Sequence, residues 1–340
     1  PYGSSLMRSD DRMEAARIVG VGRKNMIRNG NFIINQKATT FTNISSAHIF
    51  DGWYGHDSTN GSIAATIAEA TPYPPECSKY IQIQCTGTDT NLSSGQYVSL
   101  SCSIEGTYFQ QAQWGTRHAK DLTLSFYHRH TRPGVYSGCF RNSAANYNYV
   151  FEYTQEQADT WELAEIIIIG ETTSSWTTGT GKALNLNWSL GDETHTSDTP
   201  GKWFSGQYYH GSTRQLNFMT NTSNYFRITA VQLEVGKGKT PFDNIGYEEM
   251  LAWCKRYYQQ VGPASSSAMV MTGAGNGSQR IRGMHQLIPE MRAAPTVTHD
   301  TSSESPPFYA YYGSPPSYSS VSSISSTTKN FHWDFNTGTH

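Results

Sequence analysis

Six short runs favour strands, and several of them alternate apolar and polar residues at period two: KYIQIQC (79–85), QYVSLSCSI (96–104), DLTLSFYHRH (121–130), WELAEIIIIG (161–170), KALNLNWSL (182–190) and NYFRITAVQLEVG (224–236). Successive side chains of a strand face opposite sides, so Leu122, Leu124 and Phe126, or Leu184, Leu186 and Trp188, mark one buried face each. Gly, Pro, Asn and Asp recur between the runs as turn residues. The pattern predicts an all-β fold, an antiparallel jelly-roll sandwich, over residues 25–245. A parallel α/β chain would need long amphipathic helices between its strands, and none is read here.

The pattern changes twice. GYEEMLAWCKRYYQQVG (246–262) places Met250, Leu251, Cys254, Tyr257 and Tyr258 at helical spacing before Gly262 and Pro263, which predicts one connector helix. Residues 263–340 read as a smaller C-terminal β domain with Tyr-, Pro- and Ser-rich loops and short strands at 268–272, 279–288, 296–300 and 330–335. Low-complexity disorder over 301–329 is the competing reading. Residues 1–24 hold a short helical pattern, with Ser9 to cap it, Asp10 and Asp11 in its first turn and Gly20 to stop it. That segment either docks on a partner or is a mobile leader.

A chain of 340 residues favours two folded units, and only 15% are charged, so Ser, Thr, Asn, Gln and Gly must cover the surface. With 25 Lys and Arg against 27 Asp and Glu there is no basic run to track a phosphate backbone, which argues against nucleic acid. The longest apolar run, residues 166–169, is far below the roughly 20 residues of a membrane span, so no membrane insertion is expected. Cys77, Cys85, Cys102, Cys139 and Cys254 are odd in number and lack CxxC spacing or a neighbouring His pair, against both a disulfide framework and a zinc site. No signal segment is read at the start, and assembly in a reducing cytoplasm is expected.

RITAVQLEVGKGKTPFDNIGYEEMLAWCKRYYQQ (227–260) resembles the signature joining a jelly roll to a following helix in phage tail-fibre and tail-associated proteins. The matching positions are Ile228, Val231, Gln232, Leu233, Glu234, Gly236, Thr240, Pro241, Phe242, Tyr247, Glu248, Glu249, Cys254, Arg256, Tyr257 and Tyr258. NMIRNGNFIINQKAT (25–39) with FDGWYG (50–55) is similar to the opening strand of that family, and PEMRAAPTVTHD (289–300) to a strand of its C-terminal domain. The resemblance implies a carbohydrate-binding-module-like jelly roll on a virion tail or outer particle surface, usually a homotrimer, contacting host-surface polysaccharide. The 1–24 segment would then dock on other tail or capsid proteins. Two other functions fit the same β-rich chain: a capsid-decorating protein without a receptor, and a polysaccharide depolymerase.

A depolymerase would set two carboxylates about 5–9.5 Å apart across a groove. Glu162 with Glu165, and Asp192 with Glu193, lie at odd spacings that point to opposite strand faces, so no catalysis is expected. No GxSxG elbow is present, and GAGNG (273–277) lacks the Lys-Ser/Thr of a phosphate loop. His128 and His130 share a strand face, read as a polar face turned to solvent because a third metal ligand is missing nearby. No cofactor is expected beyond a structural calcium, for which Asp51, Asp57 and Glu234 are oxygen donors near strand ends; solvated turn carboxylates are the alternative.

Sugars are held by aromatic faces with amide and carboxylate hydrogen bonds. The candidates are Trp53, Tyr54 and His56, then Trp203, Phe204, Tyr208, Tyr209 and His210; the alternative is that these rings fill the core or a trimer interface. A second location competes, the recognition-loop-like PPFYAYYGSPPSYSS (306–320) with Tyr309, Tyr311, Tyr312 and Tyr318.

Overall fold

The computed structural model describes residues 23–69, 76–206, 208–260, 273–275, 280–298, 309–310 and 317–337. The chain divides into two compact units, Pro1–Met250 and Leu251–His340. The division falls inside the helix α1 (Tyr247–Lys255) rather than at residue 245. Glu248 and Glu249 in its first turn and Lys255 in its last suit the helix dipole. The helix ends seven residues short of 262, because the Tyr257 and Tyr258 amides both close back on the Cys254 carbonyl in a tight turn.

In the first unit, β1 (Thr40–Phe41), β4 (Ser62–Glu69), β5 (Lys79–Gly87), β7 (Leu122–His130), β10 (Glu162–Ile168) and β15 (Tyr225–Val235) make a six-stranded sheet in the order β1-β4-β5-β15-β7-β10. β2 (Ser46–His48), β3 (Trp53–Asp57), β6 (Tyr97–Glu105), β8 (Gly134–Asn142), β9 (Tyr147–Gln155), β11 (Lys182–Asp192) and β13 (Trp203–Ser205) make a seven-stranded sheet in the order β13-β9-β8-β11-β6-β3-β2. All pairings within both sheets are antiparallel, as the alternating pattern predicts. A short parallel pair, β12 (Thr196–Ser197) with β14 (Gly211–Ser212), belongs to neither sheet.

The apolar halves of the alternating strands meet between the sheets. Leu122, Leu124 and Phe126 from one sheet pack with Val98, Leu100, Leu184, Leu186 and Trp188 from the other. Edge-on ring contacts from Phe126 to Trp188 and to Tyr153 tie the layers together. His128 and His130, expected from sequence to face solvent, also lie in this interior, each 1% exposed. Gln155 explains why they are tolerated: its Oε1 lies 3.0 Å from His128 Nδ1 and accepts the His130 amide at 2.9 Å, while the His130 ring stacks on Tyr136 and Phe226.

The signature strand β15 carries a bulge. Ala230 adopts φ +49° between the pairs at Thr229 and Gln232, so Phe226, Ile228, Val231 and Leu233 all reach the core despite an odd step in their spacing. Gln232 and Glu234 then face the other way and are covered by residues 240–243. Glu234 accepts from the Thr240 amide (2.8 Å) and hydroxyl (2.7 Å), and Gln232 Oε1 accepts the Asp243 amide at 2.7 Å.

In the second unit, β16 (Gly273–Gly275), β17 (Arg280–Gln286), β18 (Tyr309–Ala310), β19 (Ser317–Ser326) and β20 (Asn330–Thr337) form a five-stranded antiparallel sheet in the order β16-β17-β20-β19-β18. Leu287, Met291 and Phe331 form a small core with Val297 and Ile324. The strand expected at 296–300 does not form over 296–298, which stay irregular behind Pro295, whose carbonyl is held by the Ser326 hydroxyl at 2.6 Å. The expected segments at 1–22 and 268–272 lie outside the described residues.

Candidate functional site

The polar halves of the same strands build a depression of about 160 Å³ on the outer face of the seven-stranded sheet. Register brings its floor together: Tyr54 pairs with Ser101 and His56 with Ser99 across β3–β6, Ser101 with Asn187 across β6–β11, and Asn185 with Arg141 across β11–β8. These residues alternate with the core residues Trp53, Leu100, Leu186 and Phe140, so the fold that buries one set displays the other. Tyr97, Lys182 and Tyr208 complete the rim.

The groups in the depression are held in place. The guanidinium of Arg141 donates from Nη2 to Asn185 Oδ1 at 3.0 Å and lies under the Tyr208 ring, 4.7 Å from its centroid. Its Nε and Nη1 are buried without a hydrogen-bond partner. His56 stacks on Tyr97 with centroids 4.1 Å apart, its Nδ1 engages the Ser46 hydroxyl at 2.6 Å, and its Nε2 has no partner. Burial pushes His56 below the ordinary histidine value and Tyr97, beside Tyr208, up to about 12. Both are therefore neutral hydrogen-bonding rings at neutral pH, and Arg141 and Lys182 are the charged lining groups, with no carboxylate among the lining residues.

Behind Tyr97 lies a second cluster. Asp192 at the end of β11 pairs with Tyr97 in the sheet, and His210, 1% exposed, packs 4.0 Å from the Tyr97 ring. Asp192 Oδ2 is 2.5 Å from His210 Nδ1 and 3.4 Å from His195 Nδ1. Its Oδ1 accepts the amides of Thr194 (2.8 Å) and His195 (2.7 Å). Burial, outweighing the bond to Asp192, lowers His210 to about 4, and the hydrogen bonds to His210 and the His195 amide hold Asp192 below its usual value against its own burial. The pair is a neutral imidazole donating to a carboxylate.

Of the residues expected from sequence to touch a glycan, Tyr54, His56 and Tyr208 line the depression. Trp53 does not: it is 0% exposed, donates from Nε1 to the Asn29 carbonyl at 3.2 Å and packs on Phe32 and Trp188, because the strand register turns it inward while Tyr54 turns out. Trp203 and Tyr209 lie elsewhere. Trp203 joins Trp114, Tyr147, Tyr149 and Trp176 in an aromatic cluster, and Tyr209 packs edge-on against Phe204. Tyr311 and Tyr312 lie outside the described residues, and the backbones of Tyr309 and Tyr318 face each other across β18–β19.

Asp51, Asp57 and Glu234 do not converge on one ion. Asp51 accepts from the Gln36 amide and side chain, Asp57 from the Thr59 amide and hydroxyl, and Glu234 from Thr240 and Gln232, so each carboxylate closes a local turn or loop. Among the described residues the one group of three such side chains close enough to share an ion is Asp192, His195 and His210. Of the carboxylates weighed for catalysis, Glu162 accepts the amides of Glu156 and Gln157, Glu165 that of Lys239, and Asp192 the amides of Thr194 and His195 and His210 Nδ1. The floor residues Ser99, Ser101, Asn185 and Asn187, with Tyr97 and Arg141, were missed by sequence reasoning. The polar positions of LNLNWSL signalled Asn185 and Asn187; the others come together only through register.

Fold and groove define an all-β protein of jelly-roll sandwich type with a polar, aromatic-rimmed depression on one sheet. No family model matches the chain, and no curated protein matches it. Among solved structures, a tailspike enzymatic domain from bacteriophage CBA120 overlaps 62% of this chain and 21% of its own, at 10% identity and a TM-score of 0.33. A family 11 carbohydrate-binding module of a Clostridium thermocellum cellulase overlaps 60% of this chain and 99% of its own (10% identity, TM-score 0.31), and the module TmCBM61, solved with β-1,4-galactotriose, 63% and 100% (11%, 0.33).

Proposed function

We propose that the chain is a glycan-binding subunit of a phage tail fibre or related virion appendage, and that it seats an acidic sugar in the depression on the seven-stranded sheet. The observation that carries the reading is the Arg141 guanidinium, fixed by Asn185 Oδ1 and lying beneath the Tyr208 ring, in a depression whose lining residues include no carboxylate. A guanidinium recognises a carboxylate through paired charge-assisted hydrogen bonds. The Tyr54 and Tyr208 rings supply flat faces for sugar C–H groups, and Asn185, Asn187, Ser99 and Ser101 supply neutral donors and acceptors for hydroxyls.

The appendage role rests on the sequence resemblance at 25–39, 227–260 and 289–300. In that role a homotrimer joins three weak sites, and avidity over several fibres raises overall binding by about 10² or more. No group transfer by the chain is part of this reading. The test is a glycan array probed with the labelled full chain, comparing wild type with Arg141→Ala and Tyr208→Ala. Binding concentrated on uronate- or sialate-type sugars, weakened at least tenfold in both variants, supports the proposal. Wild-type binding by both folded variants, or preference for neutral glycans, overturns the placement of the site.

A further inference from the structure

The geometry points to a transition-metal site at Asp192, His195 and His210, taking a divalent ion of the zinc class at the end of the glycan groove. The three ligand atoms lie within 4.8 Å of one another. Oxygen from one carboxylate and nitrogen from two imidazoles is a donor set that zinc, cobalt and nickel favour and calcium does not.

The scaffold around them is built to hold two histidines side by side. The residues that follow them, Thr196 and Gly211, are paired in register on the parallel strands β12 and β14, and the His210 amide donates to the His195 carbonyl at 2.7 Å. The rings lie 5.1 Å apart as a result. Asp192 is fixed from the other side by the two amides on its Oδ1, which leaves Oδ2 directed at both Nδ1 atoms.

One observation is independent of the clustering itself: His195 Nδ1 is buried without a hydrogen-bond partner although it faces the carboxylate. Polar atoms buried in this way cost stability unless something satisfies them. An ion about 2.0–2.2 Å from each ligand atom separates neighbouring ligands by roughly 3.4 Å, the spacing already present between Asp192 Oδ2 and His195 Nδ1. The closer pair to His210 at 2.5 Å has to open, with the Nδ1 proton that bridges it moving to Nε2 and the ion taking its place. Tyr97, Tyr208 and Arg141 surround the cluster; the guanidinium opposes a bound cation, and the rings shield it.

The test is a titration of the EDTA-treated full chain with Co(II), followed by ligand-field absorption and then by displacement with Zn(II). The expected result is one Co(II) per chain, displaced by one Zn(II), with affinity at least tenfold weaker in His195→Ala. That variant keeps the Asp192–His210 contact and is expected to melt like wild type in EDTA. X-ray absorption of the zinc-loaded wild type is expected to read two imidazoles and no sulfur, and answers the question if the variant misfolds. Absence of stoichiometric Co(II) binding, a folded His195→Ala chain with unchanged affinity, or sulfur in the zinc shell would each overturn the site. Glycan binding by the EDTA-treated chain is scored separately, so failure here leaves the groove reading untouched.

Discussion

His130 illustrates how a single residue is set by what surrounds it. Its ring lies between Tyr136 and Phe226, Nδ1 has no partner, and burial beside His128 holds it well below the ordinary histidine range. His128 is lowered to about 4 from 6.5, first by burial, against the bond to Gln155. As pH falls below 6.5 the unfolded chain takes up protons that the folded chain refuses, so this contribution to stability is full above 6.5 and declines down to about 4. The slope is up to roughly 1.4 kcal/mol per pH unit for each buried histidine. Urea unfolding at pH 7 and pH 5 should show that loss, and His130→Phe, which refills the stacked slot, should stay within about 1 kcal/mol of wild type at pH 7 and show a shallower decline to pH 5. An equal decline in the variant would place the acid sensitivity elsewhere.

At the scale of elements, alternation carried most of the fold into the sequence. The six runs read as strands became β5, β6, β7, β10, β11 and β15, shifted by at most two residues at either end. The apolar positions singled out in β7 and β11 named the core correctly, as with Leu184, Leu186 and Trp188, whereas Leu163, Ile167 and Ile169 of the 161–170 run are exposed. The polar half held the groove, but Asn185 and Asn187 acquire meaning only when β6 and β8 flank them, and that adjacency joins residues more than 40 positions apart. The same limit misplaced Trp53, since an aromatic pair Trp53-Tyr54 does not reveal which member faces in. Asn25, which the family-like opening segment supplies, ties that segment to the signature strand by donating to the Val231 carbonyl and accepting the Leu233 amide. Gly30 makes the close approach: a Cβ there would lie 2.1 Å from the Val231 carbonyl oxygen, a backbone atom with no room to yield. Gly30→Ala should therefore destabilise the sandwich by about 1–3 kcal/mol in denaturant titration, and a neutral result would contradict the docking of this segment on the Ala230 bulge.

For the whole molecule, the Asp192–His195–His210 cluster was not legible in the sequence. Its members are separated by up to 18 positions and meet through the small parallel pair β12–β14, which has no period-two signal of its own. The proposed trimer should scatter light with three times the chain mass, and a monomer at micromolar concentration would remove the avidity argument. An acidic ligand on a cationic groove should bind more weakly as salt rises, and a salt-independent affinity would argue for a neutral sugar. The most direct measurement watches the guanidinium itself. In chain labelled with ¹⁵N-arginine and titrated with the best-binding acidic oligosaccharide, the Arg141 Nε–H resonance, assigned by its loss in Arg141→Lys, should shift and saturate with the binding curve. Saturable binding that leaves this resonance unmoved would show that the glycan sits somewhere else.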